Sequence, residues 1–282
     1  MDNFKNTRFL TVKDYTVSNE NFDLIRDEGL DMLFTHPKPE GEQLAAYYES
    51  DDYISHTDGK RSLFERVYQF VKSIALKNKL RLVNQLKTRK GAILDIGAGT
   101  GDFLTVAKSD GWMVSAVEPS KKARSIAESK GILFTDTTET LPESSFDVIT
   151  MWHVLEHVPD PKWQLSELKR LLKPGGVIVI AVPNHKSYDA KVYGEFWAAY
   201  DVPRHLWHFS KTAIDKLAAL ANLKLVETLP MPFDAYYVSL LSEKYRSGSM
   251  NPIKAFANGL KSNIKARKSG EFSSLIYILR HD

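Results

Sequence analysis

The sequence contains no cysteine. Disulfides, thiolate catalysis and thiolate-held zinc are therefore excluded, and a reducing cytoplasm suits the chain. It also lacks a charge excess: 38 Lys and Arg stand against 35 Asp and Glu, a net charge of +3 over 282 residues. So even a balance gives no footprint for nucleic acid. No apolar run approaches the roughly 20 residues that span a bilayer. The first residues (Asp2, Asn3, Lys5, Asn6) lack the basic-then-apolar layout of a signal peptide. These absences lead to the expectation of a cytoplasmic protein with no nucleic-acid partner and no transmembrane segment. A composition 43% hydrophobic and 26% charged is enough for an ordinary buried core.

The apolar pattern divides the chain near residue 90. Residues 1–90 read as a cap and helical segment: a break at His36-Pro37-Lys38-Pro39 is followed by helical spacing of Leu63, Phe64, Val67, Phe70, Val71, Ile74 and Ala75. Residues 91–282 read as an α/β domain with insertions at about 184–211 and 232–272. Strands are expected at Gly91–Ile96, Met113–Val117, Ile132–Thr135, Phe146–Trp152 and Val177–Val182. Helices fall between them at Gly101–Lys108, Lys121–Ser129 and Trp163–Leu172, the last stopped by Lys173-Pro174-Gly175-Gly176. Further on, a helix is expected around Thr212–Ala221, with strands at Lys224–Leu229 and Leu275–Leu279.

The strongest chemical signal is Asp95-Ile96-Gly97-Ala98-Gly99-Thr100-Gly101, at the end of the first α/β strand. Glycines there let the backbone turn tightly and approach a ligand closely. A helix starting just after them aims its free N–H groups at that ligand. Glu118 closes the next strand, the position from which a carboxylate grips two ribose hydroxyls. Dinucleotide sites favour Gly-x-Gly-x-x-Gly, whereas this loop has Gly97-x-Gly99-x-Gly101 behind an acid. S-adenosylmethionine (SAM) has no phosphate to cradle, and its ammonium and sulfonium charges suit Asp95.

Four stretches then resemble, in order and spacing, the motifs of class I SAM-dependent methyltransferases. They are Ile93–Leu104 (ILDIGAGTGDFL), Val117-Glu118-Pro119-Ser120, Phe146–Val158 (FDVITMWHVLEHV) and Leu171–Gly176 (LLKPGG). The likeness is to the broad group that includes ubiquinone-biosynthesis-type O-methyltransferases and uncharacterised bacterial methyltransferases. Asp201–Ser210 (DVPRHLWHFS) resembles a segment of those uncharacterised proteins. The resemblance implies a Rossmann-like, seven-stranded, mostly parallel sheet with a reversed final strand, plus an N-terminal helical cap. It implies that Asp95, Gly97, Ala98 and Gly99 line the methionine end of SAM, and that Glu118 and Pro119 lie at the ribose. Asp136 would approach the adenine amine, with Met151, Trp152 and His153 beneath the cofactor.

The N-terminus departs from these relatives. Phe34-Thr35-His36-Pro37-Lys38-Pro39 resembles the end of a small zinc ribbon, but the paired cysteines are missing, and His36 and His56 are too few to replace them. A metal-free cap is expected there.

For the chemistry, His153, Glu156 and His157 follow the fourth strand. They read either as a general base or a carboxylate–imidazole metal pair, or as a helix cap and loop tie. No metal is assigned. Arg204, His205 and His208 sit among Tyr193, Phe196, Trp197, Tyr200, Trp207 and Phe209. That loop could close over a substrate, or pack as an insertion with Arg204 paired to Asp201. Catalytic candidates are thus His157, His205 and Arg204. The stretch 253–268 is basic and amphipathic without acids, which suits either an anionic membrane surface or the solvated face of a packed helix. The expected activity is methyl transfer from SAM to a small-molecule or glycan- or lipid-linked acceptor, at oxygen. The alternatives are a non-catalytic SAM-binding scaffold and a nicotinamide-dependent reductase.

Overall fold

The computed structural model describes residues 7–39, 41–47, 63–87 and 89–282; His56 lies outside them. Seven strands form the main sheet: β4 (Ala92–Ile96), β5 (Met113–Val117), β6 (Phe134–Thr135), β7 (Phe146–Trp152), β8 (Leu172–Pro183), β10 (Leu223–Pro230) and β11 (Ser274–His281). Their order is β10-β11-β8-β7-β4-β5-β6. Pairing is parallel from β8 through β6, and only β11 runs antiparallel to both of its neighbours. The reversed final strand is therefore present.

Burial on both faces explains why β7 and β8 read as near-continuous apolar runs. Ile178, Ile180 and Val182 join one core with Leu94, Ile149 and Met151, while Val177, Val179 and Ala181 join the other with Ile93, Val148 and Trp152. Between the strands run α3 (Asp102–Ser109), α4 (Lys121–Glu128) and α5 (Pro161–Leu171). Helix α5 starts where Asp160 accepts the N–H groups of Lys162 and Trp163 and Pro161 presets the first turn. The expected stop at Lys173–Gly176 does more than end that helix, since β8 already begins at Leu172.

The N-terminal segment keeps its expected helix but adds a small sheet before it. It opens as three antiparallel strands, β1 (Thr7–Lys13), β2 (Asn21–Asp27) and β3 (Met32–His36), to which β9 (Trp207–His208) adds a fourth. In β2 the period is two: Phe22 and Leu24 are buried while Asn21, Asp23 and Ile25 are not. Charged residues on the outer face disguised that alternation as mixed polar sequence. Asp14 organises the β1–β2 turn, its carboxylate accepting from the backbone of Thr16, Val17 and Ser18. After the short α1 (Gly41–Ala46), the expected long helix is present as α2 (Leu63–Leu86).

The aromatic loop after β8 packs under this small sheet. Tyr193, Trp197, Tyr200 and Val202 form one buried cluster with Val12, Phe22, Leu24 and Leu33. The chain ends with α6 (Tyr188–Tyr193), α7 (Lys211–Leu220), α8 (Asp234–Ser247), α9 (Pro252–Ser269) and β11. Among the described residues no helix is long and apolar enough to cross a membrane.

Candidate active site

Strand order reverses beside β4, with β5 and β6 on one side and β7 and β8 on the other. In open α/β sheets the crevice at that switch point, beyond the strands' carboxyl ends, is where ligands bind. The glycine loop emerges there. Gly97, Gly99 and Gly101 have φ of +69°, +53° and +72°, a region costly to other residues. At Gly97 a Cβ would lie 2.4 Å from Val154 Cγ2, and at Gly101 2.8 Å from the Ala127 Cβ. At Gly99 it would meet nothing within 4 Å, because that residue faces open space. The space is a cleft of about 280 Å³ walled by Asp95, Gly97, Ala98, Gly99, Thr100, Asp102, Phe103 and Trp152, and from α2 by Lys72, Ala75, Leu76 and Lys79.

Glu118, at the end of β5, is tied to this loop. Its carboxylate accepts the N–H of Gly99 at 2.8 Å and that of Ser120 at 2.9 Å. Each oxygen keeps a second lone pair for an outside donor. Asp95 is buried and receives the Thr150 hydroxyl at 2.5 Å. Burial pushes its pKa up to about 7, held back by that hydrogen bond and by Lys79. The Lys79 ammonium lies 4.5 Å from the Trp152 ring centroid; burial depresses its pKa, and Asp95 and Asp234 act the other way.

A second polar group adjoins the cleft through Asp234, the first residue of α8. His153, just past β7, has a φ of +58°, the kind of local strain that clusters at functional sites. Its Nε2 lies 3.1 Å from Asp234 and its Nδ1 3.4 Å from Glu156. Burial opposes its charge, but the two carboxylates outweigh it and raise its pKa to about 10. Glu156 is buried, and neither oxygen has an aligned hydrogen-bond partner; burial would raise its pKa, yet His153 brings it below the usual value. Glu156, His157 and His205 place one potential ligand atom each within 4.8 Å of one another. The His157 and His205 rings meet edge to face at 4.6 Å. His157 Nδ1 lies 3.1 Å from the Arg204 carbonyl, to which it donates, leaving the ring's lone pair on Nε2. Burial, then His205, presses the His157 pKa down to about 4, so the ring is neutral at pH 7.

Among known proteins, the methyltransferase-domain family matches residues 63–228. The chain is a class I SAM-dependent methyltransferase. It is 30% identical over 200 residues to a ubiquinone biosynthesis O-methyltransferase of Actinobacillus pleuropneumoniae, covering 62% of this chain and 82% of that one. It is 33% identical over 172 residues to an uncharacterized protein of Methanocaldococcus jannaschii, covering 59% and 82%. In fold it is similar to a SAM-dependent methyltransferase of Thermotoga maritima (TM-score 0.54, 22% identity, 85% and 100% covered). It is similar too to the magnesium protoporphyrin IX methyltransferase of Synechocystis with bound SAH (TM-score 0.57, 12% identity, 86% and 100% covered). The scaffold and reductase alternatives are thereby set aside.

The cleft fits the methyltransferase's cofactor. It combines two acids with two lysines, Lys72 paired to Asp102 at 2.6 Å and Lys79 beside Asp95, a mixed charge that suits the zwitterionic amino-acid end of SAM. Gly99 leaves open the volume a Cβ would fill, and Trp152 Nε1 is buried without a partner. Of the residues expected from the sequence, Asp95, Gly97, Ala98, Gly99 and Trp152 share this cleft, with Glu118 tied in through Gly99. Met151 does not line the cleft but is buried in the core on the sheet's other face, and His153 belongs to the second group. Asp136 does not join the cleft wall: its carboxylate is 82% exposed and pairs with Arg124. Pro119 is also exposed.

Arg204 takes the packing alternative. It is buried, its guanidinium donates to both oxygens of Asp201, and that pairing raises its pKa against the cost of burial. His208 is buried beside the Thr35 hydroxyl. Lys72, Lys79, Thr150 and Asp234 were missed from sequence. The one signal was that Lys72 and Lys79 stand two turns apart on the same face of the expected helix.

Proposed function

We propose that this methyltransferase methylates an oxygen of a small-molecule or glycan- or lipid-linked acceptor in the cytoplasm, with His157 as the proton acceptor. The observation that carries the reading is His157 itself: a neutral imidazole at pH 7, oriented through the Arg204 carbonyl and set beside the buried carboxylate of Glu156. The O-methyltransferase named among the relatives supports oxygen as the atom methylated.

When bound, SAM supplies an electrophilic methyl group on a sulfonium. As an acceptor hydroxyl takes up that methyl group, its proton would pass to His157 Nε2. Beyond taking up the proton, the protein would chiefly supply proximity and alignment, worth up to about 7–11 kcal/mol. Asp95 would hold the ammonium of the cofactor, Lys79 its carboxylate, and Glu118 the ribose diol, while Lys72 is engaged by Asp102. Glu156 answers the imidazolium that forms on His157, and His205 fixes the ring edge to face.

The reading keeps metal out. Glu156 already faces the His153 cation at 3.4 Å, which repels a dication arriving at the same carboxylate. The test is His157→Asn with the acceptor found by product screening. Turnover should fall about 10²- to 10⁴-fold, with SAM affinity unchanged and no effect of chelator on the wild type. A methylated carbon or nitrogen in the product, or full turnover in the variant, would overturn it.

A further inference from the structure

The last long helix, α9, is built inside out for a helix that serves only its own fold. Its buried positions are the small residues Ala255, Gly259, Ser262 and Ala266. Gly259 sets how close it comes to α8, since a Cβ there would lie 2.7 Å from the Tyr236 ring and 3.0 Å from the Ala235 carbonyl oxygen. The large apolar residues point the other way: Ile253 is 83% exposed, Phe256 60%, Leu260 41% and Ile264 55%. At about 100° per residue these four fall on one stripe, some 16 Å long. Met250 before the helix and Phe233 beside the start of α8 are also about half exposed.

Charge flanks that stripe on one sign only. Lys254, Lys261, Lys265 and Lys268 fall along one edge, and Arg267 continues the stripe itself one turn beyond Ile264; all are exposed, and Pro252–Ser269 contains no acid. We propose that α9 docks this methyltransferase on an anionic lipid surface, with the apolar stripe at the headgroup–acyl boundary and the cations against lipid phosphates. An exposed apolar stripe bordered by lysines is the layout of an interfacial helix, and the five cations of α9 make it too polar to span the bilayer. A second copy is a poorer occupant, because a two-fold contact through this face sets like charges against each other. The face also adjoins the site: Tyr236, stacked on Phe256 with centroids 5.3 Å apart, is two residues from Asp234, which holds His153. The proposal stands on the helix itself, independently of which acceptor is methylated.

The test is co-sedimentation of the full chain with vesicles of phosphatidylcholine alone or equimolar with phosphatidylglycerol, together with light scattering. The protein should bind the anionic vesicles and leave the neutral ones. Ile253→Glu/Ile264→Glu, at two exposed positions, should lower partitioning tenfold or more. Lys254→Gln/Lys268→Gln should lower it about 25-fold, near fivefold per lysine. SAM affinity equal to wild type shows that both variants fold. Equal binding to the two vesicle types, binding that survives both variants, or a dimer split by the apolar variant with no vesicle binding would each overturn the proposal.

Discussion

At Asp95, burial and hydrogen bonding pull in opposite directions. Burial raises its pKa to about 7, while Thr150 and Lys79 hold it from rising further. The empty cleft at neutral pH therefore holds Asp95 partly protonated. A ligand ammonium beside it favours the carboxylate, so binding carries proton release. SAM affinity should rise as pH climbs through about 7, and at pH 6 it should be about tenfold below its alkaline plateau. Asp95→Asn should bind more weakly and lose that slope. Calorimetry at several pH values checks this; a slope that persists in the variant would assign the titration to another group. For folding the sign is reversed: relative to the unfolded chain, Asp95 favours the native state most below pH 3.8 and loses that contribution as pH rises through about 7.

At the scale of elements, the loop from Asn184 to Ser210 shows most clearly how packing reaches beyond a local sequence pattern. Its aromatic residues pack under a sheet formed by residues 7–36, and β9 pairs with β3. The Thr35 hydroxyl donates to the His205 carbonyl, a bond across 170 residues of chain. Such partners cannot be inferred from the loop's own composition. By contrast, the glycine turn, Glu118 and the strands from β4 to β8 were legible, because each rests on a local pattern: an apolar run, a turn residue, an acid at a strand end. Lys79 and Asp234 were not, since which face of α2 meets the cleft depends on packing. Arg204→Ala should therefore act through the fold. It leaves the half-buried Asp201 carboxylate without its guanidinium partner, a loss of about 1–3 kcal/mol. Thermal and denaturant melts read that loss. A variant with wild-type stability and SAM affinity but no turnover would return Arg204 to the acceptor.

Across the whole molecule, acid sensitivity is set by histidines that the fold holds neutral. Burial lowers the pKa of His157 and His185 to about 4, and that of His208 well below its usual value. Each takes up a proton on unfolding once the pH drops below about 6.5. The stability they contribute is present above that pH and is lost as pH falls toward 4. Asp95 works against them in the same window, because there the folded state holds a proton that the unfolded chain lacks. His153, raised to about 10, is charged in both states below pH 6.5; its contribution is lost only as pH rises from there through about 10. The carboxylates of Glu156, Asp201 and Asp234 are pulled down by their cationic partners and titrate below the window. Three protons gained on unfolding, less the one that Asp95 gives up, leave about two. Stability should fall by about 2–3 kcal/mol between pH 6 and pH 5, at about 1.4 kcal/mol per proton per pH unit. Urea titrations at those two pH values measure it. Replacing His185 with Asn should flatten the slope by about one proton, and a stability that held level or rose on acidification would show that these rings are not buried neutral.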